Sequence, residues 1–431
     1  MPAGFSEADF CVAIADYLEE MITLVAPTEG VYVSIDGVVC AAKRRQQRLR
    51  RFKGPWLARL EKAQTATTWD QNALTPGTEF MARLADVLGA RCRRIAARRG
   101  IPVILSSAAE PGEGEHKLMA HMRSIGCRTC TIYGLDADLI LLAMLLVSDG
   151  FTVRLLREAQ EFERGTGDEW RSLDVTALAD VLFVKDPAKI RDFVAAMSLL
   201  GNDFLPRSLT KTVRDDCPGL IAGLERVWAA GLRLTDSGLN AAGLIALLEP
   251  WTADEDGDLR AAARAGEQQR RRCTGDFASL PAQWGAVCAA SKETYAAWHP
   301  GTAANYVAGL AWIWDYYMGR PVDLGWSFDE HLPPLWSDVV AELRQGIRPP
   351  PLRYTEYLPP STHLFAVLPE ASMARLLPSH LSLIYRMPWY WPTGWSVFDV
   401  GRTQMWECEP VIPVLDDAVL RTVKLDQGIP A

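Results

Sequence analysis

Six acidic residues stand in four short clusters: Asp36 in VSIDG, Glu113 and Glu115 in PGEGEHK, Asp136 and Asp138 in YGLDADL, and Asp203 in GNDFLP. Each cluster falls at the mouth of a predicted strand or helix. Beside the first lies a basic stretch, AAKRRQQRLRRFK, whose residues 43–53 carry seven Lys/Arg and no acid. Phosphodiester hydrolysis by two metal ions needs several carboxylates converging on ions about 3.5–4 Å apart, which stabilise the attacking and leaving oxygens. Magnesium takes hard oxygen ligands and keeps some of its waters, so acids alone suffice. Carboxylates at loop edges next to a phosphate-sized positive patch point to metal-dependent cleavage of a nucleic acid.

Each acid also has a purely structural use. Asp36 before Gly37 suits a turn. One of Asp136 and Asp138 suits a helix N-cap. Glu113 and Glu115 complement the dipole of a following helix. Asp203 suits the turn after an apolar helix. Four such clusters in one segment make the structural reading weaker jointly than singly. In the basic stretch, Lys43, Gln47, Arg50 and Arg51 fall at spacings of four, three and one, on one side of a helix. Three cations and an amide there can cradle a terminal phosphate through charge-assisted bonds. A solvated helix face is the plainer use. Arg44, Arg45 and Arg48 point elsewhere, to follow a nucleic-acid backbone or to solvate the helix.

The elements that must position these groups follow from periodicity and punctuation. Helical spacing runs through residues 7–25 (Phe10, Ile14, Tyr17, Leu18, Met21). Residues 31–36 read as a buried strand and 41–63 as a basic helix. A helix over 78–99 stops at Gly100, and strands follow at 101–107 and 129–134. A helix starts near Glu115, a buried one spans 139–146, and 152–158 adds an edge strand. A helix over 192–200 delivers GNDFLP. This alternation predicts an α/β fold with a mostly parallel sheet and helices on both faces. Ligands of such sheets bind outside the carboxyl ends of the strands, where Asp36 and Asp136 fall. Residues 1–210 are expected to form this domain and 211–300 a variable helical linker. Residues 301–431 read as a mainly helical, loop-rich annex, with tryptophans and proline runs.

Composition narrows the partners. With 49% apolar and 23% charged residues, the 431-residue chain is an ordinary globular composition. Its net charge of −8 argues against coating nucleic acid over a whole surface, so contact should be a local pocket or channel. No run approaches 18 apolar residues, and no membrane span is expected. Nine cysteines lack a regular framework. Cys127 and Cys130 have no second pair at zinc-ligand spacing, and reduced, intracellular thiols are expected.

Taken together, the motifs resemble the Xrn family of 5′→3′ exoribonucleases. VSIDGVVCAAKRRQQRLRRFK resembles the family's strand, Asp-Gly turn and basic helix, and EPGEGEHKLMAHMR its paired-glutamate loop. YGLDADLILLAM, VRLLRE and SLLGNDFLP follow in family order. YVAGLAWIWDYYMG (306–319), GWSFDEHLPPLWSD (325–338), FAVLPEAS (365–372) and WECEPVIPVLDD (406–417) resemble its second conserved region. The resemblance implies a PIN/flap-nuclease-like fold. It implies processive hydrolysis of single-stranded RNA from a 5′-monophosphate end, releasing nucleoside 5′-monophosphates with two Mg2+ or Mn2+ ions. Carried over by position, Asp36, Glu113, Glu115, Asp136, Asp138 and Asp203 would hold the metals or their waters. Lys43, Gln47, Arg50 and Arg51 would form a 5′-phosphate pocket that excludes a cap or triphosphate. Trp326 is similar to the family tryptophan region that stacks near the 5′ base, which suits sequence-independent degradation; a core aromatic is its plainer use. His116 would orient the glutamate loop.

The chain departs from the pattern at its start. The family's first strand, its aspartate and a stacking histidine have no counterpart, so the nuclease region is expected to be N-terminally incomplete with an unpaired sheet edge. An upstream segment or a partner peptide would complete the sheet. Two other readings stand beside the exoribonuclease: a catalytically impaired protein that binds 5′-phosphorylated RNA ends, and a structure-specific DNA flap nuclease on the same fold. A zinc knuckle, carried by nuclear members, is not found, which favours a cytoplasmic protein over a nuclear one.

Overall fold

A computed structural model describes residues 6–60, 69–134, 136–159, 170–272, 295, 302–377, 387–392, 394–398, 402 and 407–422. Helix α1 (Glu7–Val25) opens with a capping box in which Ser6 and Asp9 satisfy each other's backbone amides. Strand β1 (Val31–Ser34), helices α2 (Ala41–Leu60) and α3 (Glu79–Arg99), and strand β2 (Val103–Ser106) follow. β1 and β2 pair in parallel, with Val31 opposite Val103. Next come α4 (Gly114–Ser124), β3 (Thr129–Tyr133), α5 (Asp138–Ser148), β4 (Thr152–Glu158) and β5 (Trp170–Asp174). β3 pairs with β4 in parallel, and β4 with β5 antiparallel.

The fold is mixed α/β, with helices and parallel strands in the predicted order. The sheet is divided, however. Among the described residues, β1–β2 and β3–β4–β5 are separate sheets, and no ladder joins β1 to β3. β4 is not an edge strand, because β5 covers its outer side. β1 and β3 each keep an edge that no described strand pairs, yet the loops beyond their carboxyl ends meet at one site.

The main core forms around α5. Its LILLAMLL run is apolar all round, which demands burial on every side. Leu142, Ala143, Met144, Leu145 and Leu146 are at most 1% exposed. Helices α6 (Val175–Phe183), α7 (Pro187–Met197), α8 (Val213–Ala229) and α9 (Ala241–Leu248) contribute to this core, while α10 (Glu255–Arg272) joins a smaller cluster through Leu259 and Ala263. Most of the region beyond 301 divides between two cores, with Leu332 and Leu335 in the smaller cluster. Helices α11 (Ala303–Tyr317) and α12 (Trp336–Leu343) run into the main one. Helices α13 (Pro360–Val367) and α14 (Glu370–Leu376) pack with Phe52 of α2 in a second. A short hairpin of β6 (Ser396–Phe398) and β7 (Glu409–Val411) and helix α15 (Asp417–Thr422) close the described chain.

Helix α2 is therefore buried on one side, not solvated. Arg44 and Arg48 are 5% and 4% exposed. Arg44 pairs with Asp417, and Arg48 donates to the carbonyls of Ala366 and Tyr390. The two arginines fasten the C-terminal region to α2, which corrects the expectation that they face solvent or a nucleic-acid backbone. No described helix is long and apolar enough to cross a membrane.

Candidate active site

The site begins where β1 ends. Asp36 lies two residues beyond the strand, and Gly37 follows against the backbone of Glu110. A Cβ at position 37 would come within 1.9 Å of the Glu110 carbonyl oxygen, so only glycine makes this turn. The turn aims Asp36 at the start of α4, where its Oδ1 accepts from the Gly114 amide at 2.7 Å. Asp36 thus holds a backbone amide of the glutamate loop, a structural use other than the turn foreseen for it.

Glu113 stands at the N-cap of α4 and makes no capping bond with its side chain. It turns inward and is 3% exposed. One carboxylate oxygen takes the Lys43 ammonium at 2.7 Å and the other the Tyr316 hydroxyl of α11 at 2.6 Å. Asp203 approaches from the turn after α7. Gly201 there has φ 117°, a conformation closed to other residues without strain. Asp203 Oδ2 takes Lys43 at 2.6 Å and Oδ1 takes Gln46 Nε2 at 2.8 Å. Lys43 therefore bridges two of the predicted acids.

The other three converge on one another. Glu115 lies in the first turn of α4, Asp138 opens α5, and Asp136 precedes it. Each offers a carboxylate oxygen within 4.8 Å of the others. Among the described residues, no lysine or arginine pairs with any of the three. Crowding shows in the protonation of Glu115 and Asp138. Burial, with Asp138 and Glu113 adding repulsion, pushes the Glu115 carboxyl up to about 8. Burial also raises Asp138, with Asp203 and Asp136 opposing the pull of Lys43. Burial raises Glu113, and Lys43 and Tyr316 draw it only part of the way back. For Lys43, burial alone would lower the ammonium, but Glu113 and Asp203 outweigh it and hold the group above its ordinary range. Three oxygen donors that repel one another are a fitting cage for a hard divalent cation such as Mg2+ or Mn2+.

His116 takes no part in this. Burial, then Lys43 and Arg123, lowers its imidazole to about 3, so it is neutral. Its ring lies 4.0 Å from that of Tyr316 and packs the glutamate loop against α11.

The predicted phosphate face is less compact than expected. Lys43 points to the acids. Gln47 is buried and accepts from Arg51 at 3.2 Å, and Arg51 also donates to Thr75 at 3.1 Å. Arg50 is exposed. With Gln46, Lys53, Asn202 and Asp203 it lines a cavity of about 300 Å3 that opens beside the acids. Trp326 is displaced from the expected role. It is 8% exposed, its indole N–H is bonded to Asn305, and its ring lies 5.1 Å from that of Trp312. It borders a larger cavity, of about 910 Å3, that none of the six acids lines. Trp326 is a core aromatic here. Three contributors were not foreseen: Tyr316, Gln46 and Thr75. Gln46 lies three residues from Lys43 on the same helix face and could have been found by spacing. Tyr316 and Thr75 arrive by tertiary contact, which no local pattern reveals.

Comparison with known proteins gives matches of one kind. Residues 2–159 match the family described as XRN 5'-3' exonuclease N-terminus. Over these residues the chain is similar to the Xrn family. It is 30% identical over 298 residues to the 5'-3' exoribonuclease 2 of Schizosaccharomyces pombe, an alignment covering 54% of this chain and 30% of that protein. Against human 5'-3' exoribonuclease 1 the identity is 26%, covering 94% of this chain and 30% of the relative. Against Saccharomyces cerevisiae 5'-3' exoribonuclease 1 it is 33%, covering 47% and 16%. The chain thus spans less than a third of the length of these curated relatives.

Proposed function

We propose that this chain is a metal-dependent 5′→3′ exoribonuclease that degrades single-stranded RNA bearing a 5′-monophosphate to nucleoside 5′-monophosphates. The observation that carries the reading is the unpaired trio of Glu115, Asp136 and Asp138 beside a basic helix. The trio would hold a divalent ion, Mg2+ or Mn2+, through hard oxygen ligands. Such an ion, when bound, polarises a phosphoryl oxygen and lowers the pKa of its water. Asp36, Glu113 and Asp203 frame the trio. Gln47, Arg50 and Arg51 would receive the terminal phosphate, with Lys43 at the border between that phosphate and the acids. Fixing the 5′ end sets which phosphodiester meets the acids, so positioning determines the size of the product.

The divided sheet supports a further part of this reading. β1 and β3 send their carboxyl-terminal loops to one site and each leaves an edge unpaired among the described residues. A parallel strand between them, from an upstream segment or a separate peptide, would join the two sheets into one PIN/flap-nuclease-like sheet. In this arrangement residues 1–210 are the nuclease unit and 301–431 brace it, with 211–300 between. An intracellular place of action goes with the same reading, since scattered thiols suit a reducing compartment.

Asp136→Ala and Asp203→Ala test the assignment. Each is expected to abolish cleavage of 5′-monophosphorylated RNA while leaving the circular dichroism spectrum and melting temperature near those of the parent. Cleavage that survives both substitutions would overturn it.

A further inference from the structure

The six carboxylates of the site do not share one environment. Glu115, Asp136 and Asp138 have no cationic partner among the described residues and can close on one ion. Glu113 and Asp203 are already served by the chain itself. Each of their four carboxylate oxygens has a donor: Tyr316 and Lys43 on Glu113, Gln46 and Lys43 on Asp203. The lysine nitrogen sits 2.7 Å from one carboxylate and 2.6 Å from the other. Its side chain is 14% exposed and that of Glu113 4%, so water screens the contact with Glu113 little, while Asp203, 36% exposed, meets it from the solvent side.

One ammonium shared by two carboxylates supplies positive charge where a metal ion would otherwise supply it. A small closure would bring both oxygens to a divalent ion, which takes ligands at about 2.0–2.1 Å in the case of Mg2+. The ammonium and the ion would compete for the same oxygens. Tyr316, from α11, and Gln46, one turn along α2, hold the other oxygen of each carboxylate, so both acids are oriented toward the lysine.

Building on the exoribonuclease reading, we propose that the Lys43 ammonium takes the place of a second divalent ion between Glu113 and Asp203, leaving this chain one metal site at Glu115, Asp136 and Asp138. The positive charge on the Asp203 side of the site is then part of the protein. Its position is set by helix α2, the helix whose face carries Gln47, Arg50 and Arg51. The count of ions departs from the two expected from the resemblance, and Lys43 is the reason.

Counting bound Mn2+ tests this, using the electron paramagnetic resonance signal of free Mn2+ during titration of the whole chain. The wild-type protein is expected to bind one ion per chain, and Glu115→Gln to lose it. Lys43→Met should bind two, because Glu113 and Asp203 are then bare. Lys43→Gln serves the same comparison should the methionine variant fail to fold. Lys43→Arg should still bind one. Two ions on the wild-type protein would overturn the proposal and leave the metal-dependent reading intact. One ion on both the wild type and the neutral variants would also overturn it, since Lys43 would not be what excludes the second. No ion on any variant would remove the metal centre, and the proposal with it.

Discussion

Glu115 is the residue whose chemistry is most sharply set by its neighbours. Its carboxyl is raised to about 8, by burial first and then by Asp138 and Glu113. In the metal-free folded chain it therefore keeps a proton that the unfolded chain loses near the ordinary glutamate value. Between those values the folded state binds more protons, so this group's contribution to stability falls as pH rises from about 4.5 to about 8. A divalent ion needs the carboxylate and must expel that proton. Mn2+ affinity should accordingly rise with pH up to about 8 and then level. Calorimetric titration at pH 7 in two buffers of different ionisation enthalpy should show about one proton released per ion. No release at pH 7 would mean that Glu115 is already ionised and that its crowding with Asp138 is relieved in solution. The acid types and the strand ends that carry them were legible in the sequence. The partition among them was not. Lys43 was placed with a phosphate by its spacing along the helix, but a four-carbon side chain goes to the nearest uncompensated charge, and that is supplied by Glu113 and Asp203 from other parts of the chain.

At the scale of elements, the turn after β1 and helix α2 do most to place the site. Gly37 packs on the Glu110 backbone so closely that a methyl group has no room. Gly37→Ala should push β1 away from the loop before α4, break the Asp36 bond to the Gly114 amide, and cost about 1–3 kcal/mol, the usual range for overpacking. Urea denaturation measures this, and an unchanged midpoint would show that the loop yields freely. Helix α2 was recognisable by its basic run, and one of its faces by the spacing of Lys43, Gln47, Arg50 and Arg51. The opposite face was misjudged. Arg44 and Arg48 look like surface charge in the sequence, because nothing local announces the carbonyls of Ala366 and Tyr390 or the carboxylate of Asp417 that receive them. Trp326 was misplaced for a related reason. A tryptophan that caps a ligand and one that fills a core have the same neighbours in sequence, and only the contact with Trp312 separates them.

Across the whole molecule, the order of helices and strands was readable because periods of two and 3.6 alternate so clearly through residues 7–200. The way in which most residues beyond 301 are shared between two cores was not, since it depends on contacts hundreds of residues apart. Asp417 is the most direct link of this kind. It is buried and receives both Arg44 from α2 and Arg421 from α15. Asp417→Asn would leave Arg44 buried without its counter-ion, a change that typically costs about 3–5 kcal/mol. A loss of that size in chemical denaturation, with a looser C-terminal region in limited proteolysis, is expected. A loss below about 1 kcal/mol, the scale of exposed pairs, would show that the C-terminal region is held by its apolar contacts alone.

The account rests on acids and basic helix acting together on one RNA end, and a single assay addresses that directly. Single-stranded RNA of one sequence, carrying either a 5′-monophosphate or a 5′-triphosphate, is incubated with the whole chain in Mg2+ and in EDTA. Release of mononucleotides from the monophosphate substrate alone, stopped by EDTA, is the predicted result. Internal cleavage, equal degradation of both ends, or cleavage that persists in EDTA would contradict the account.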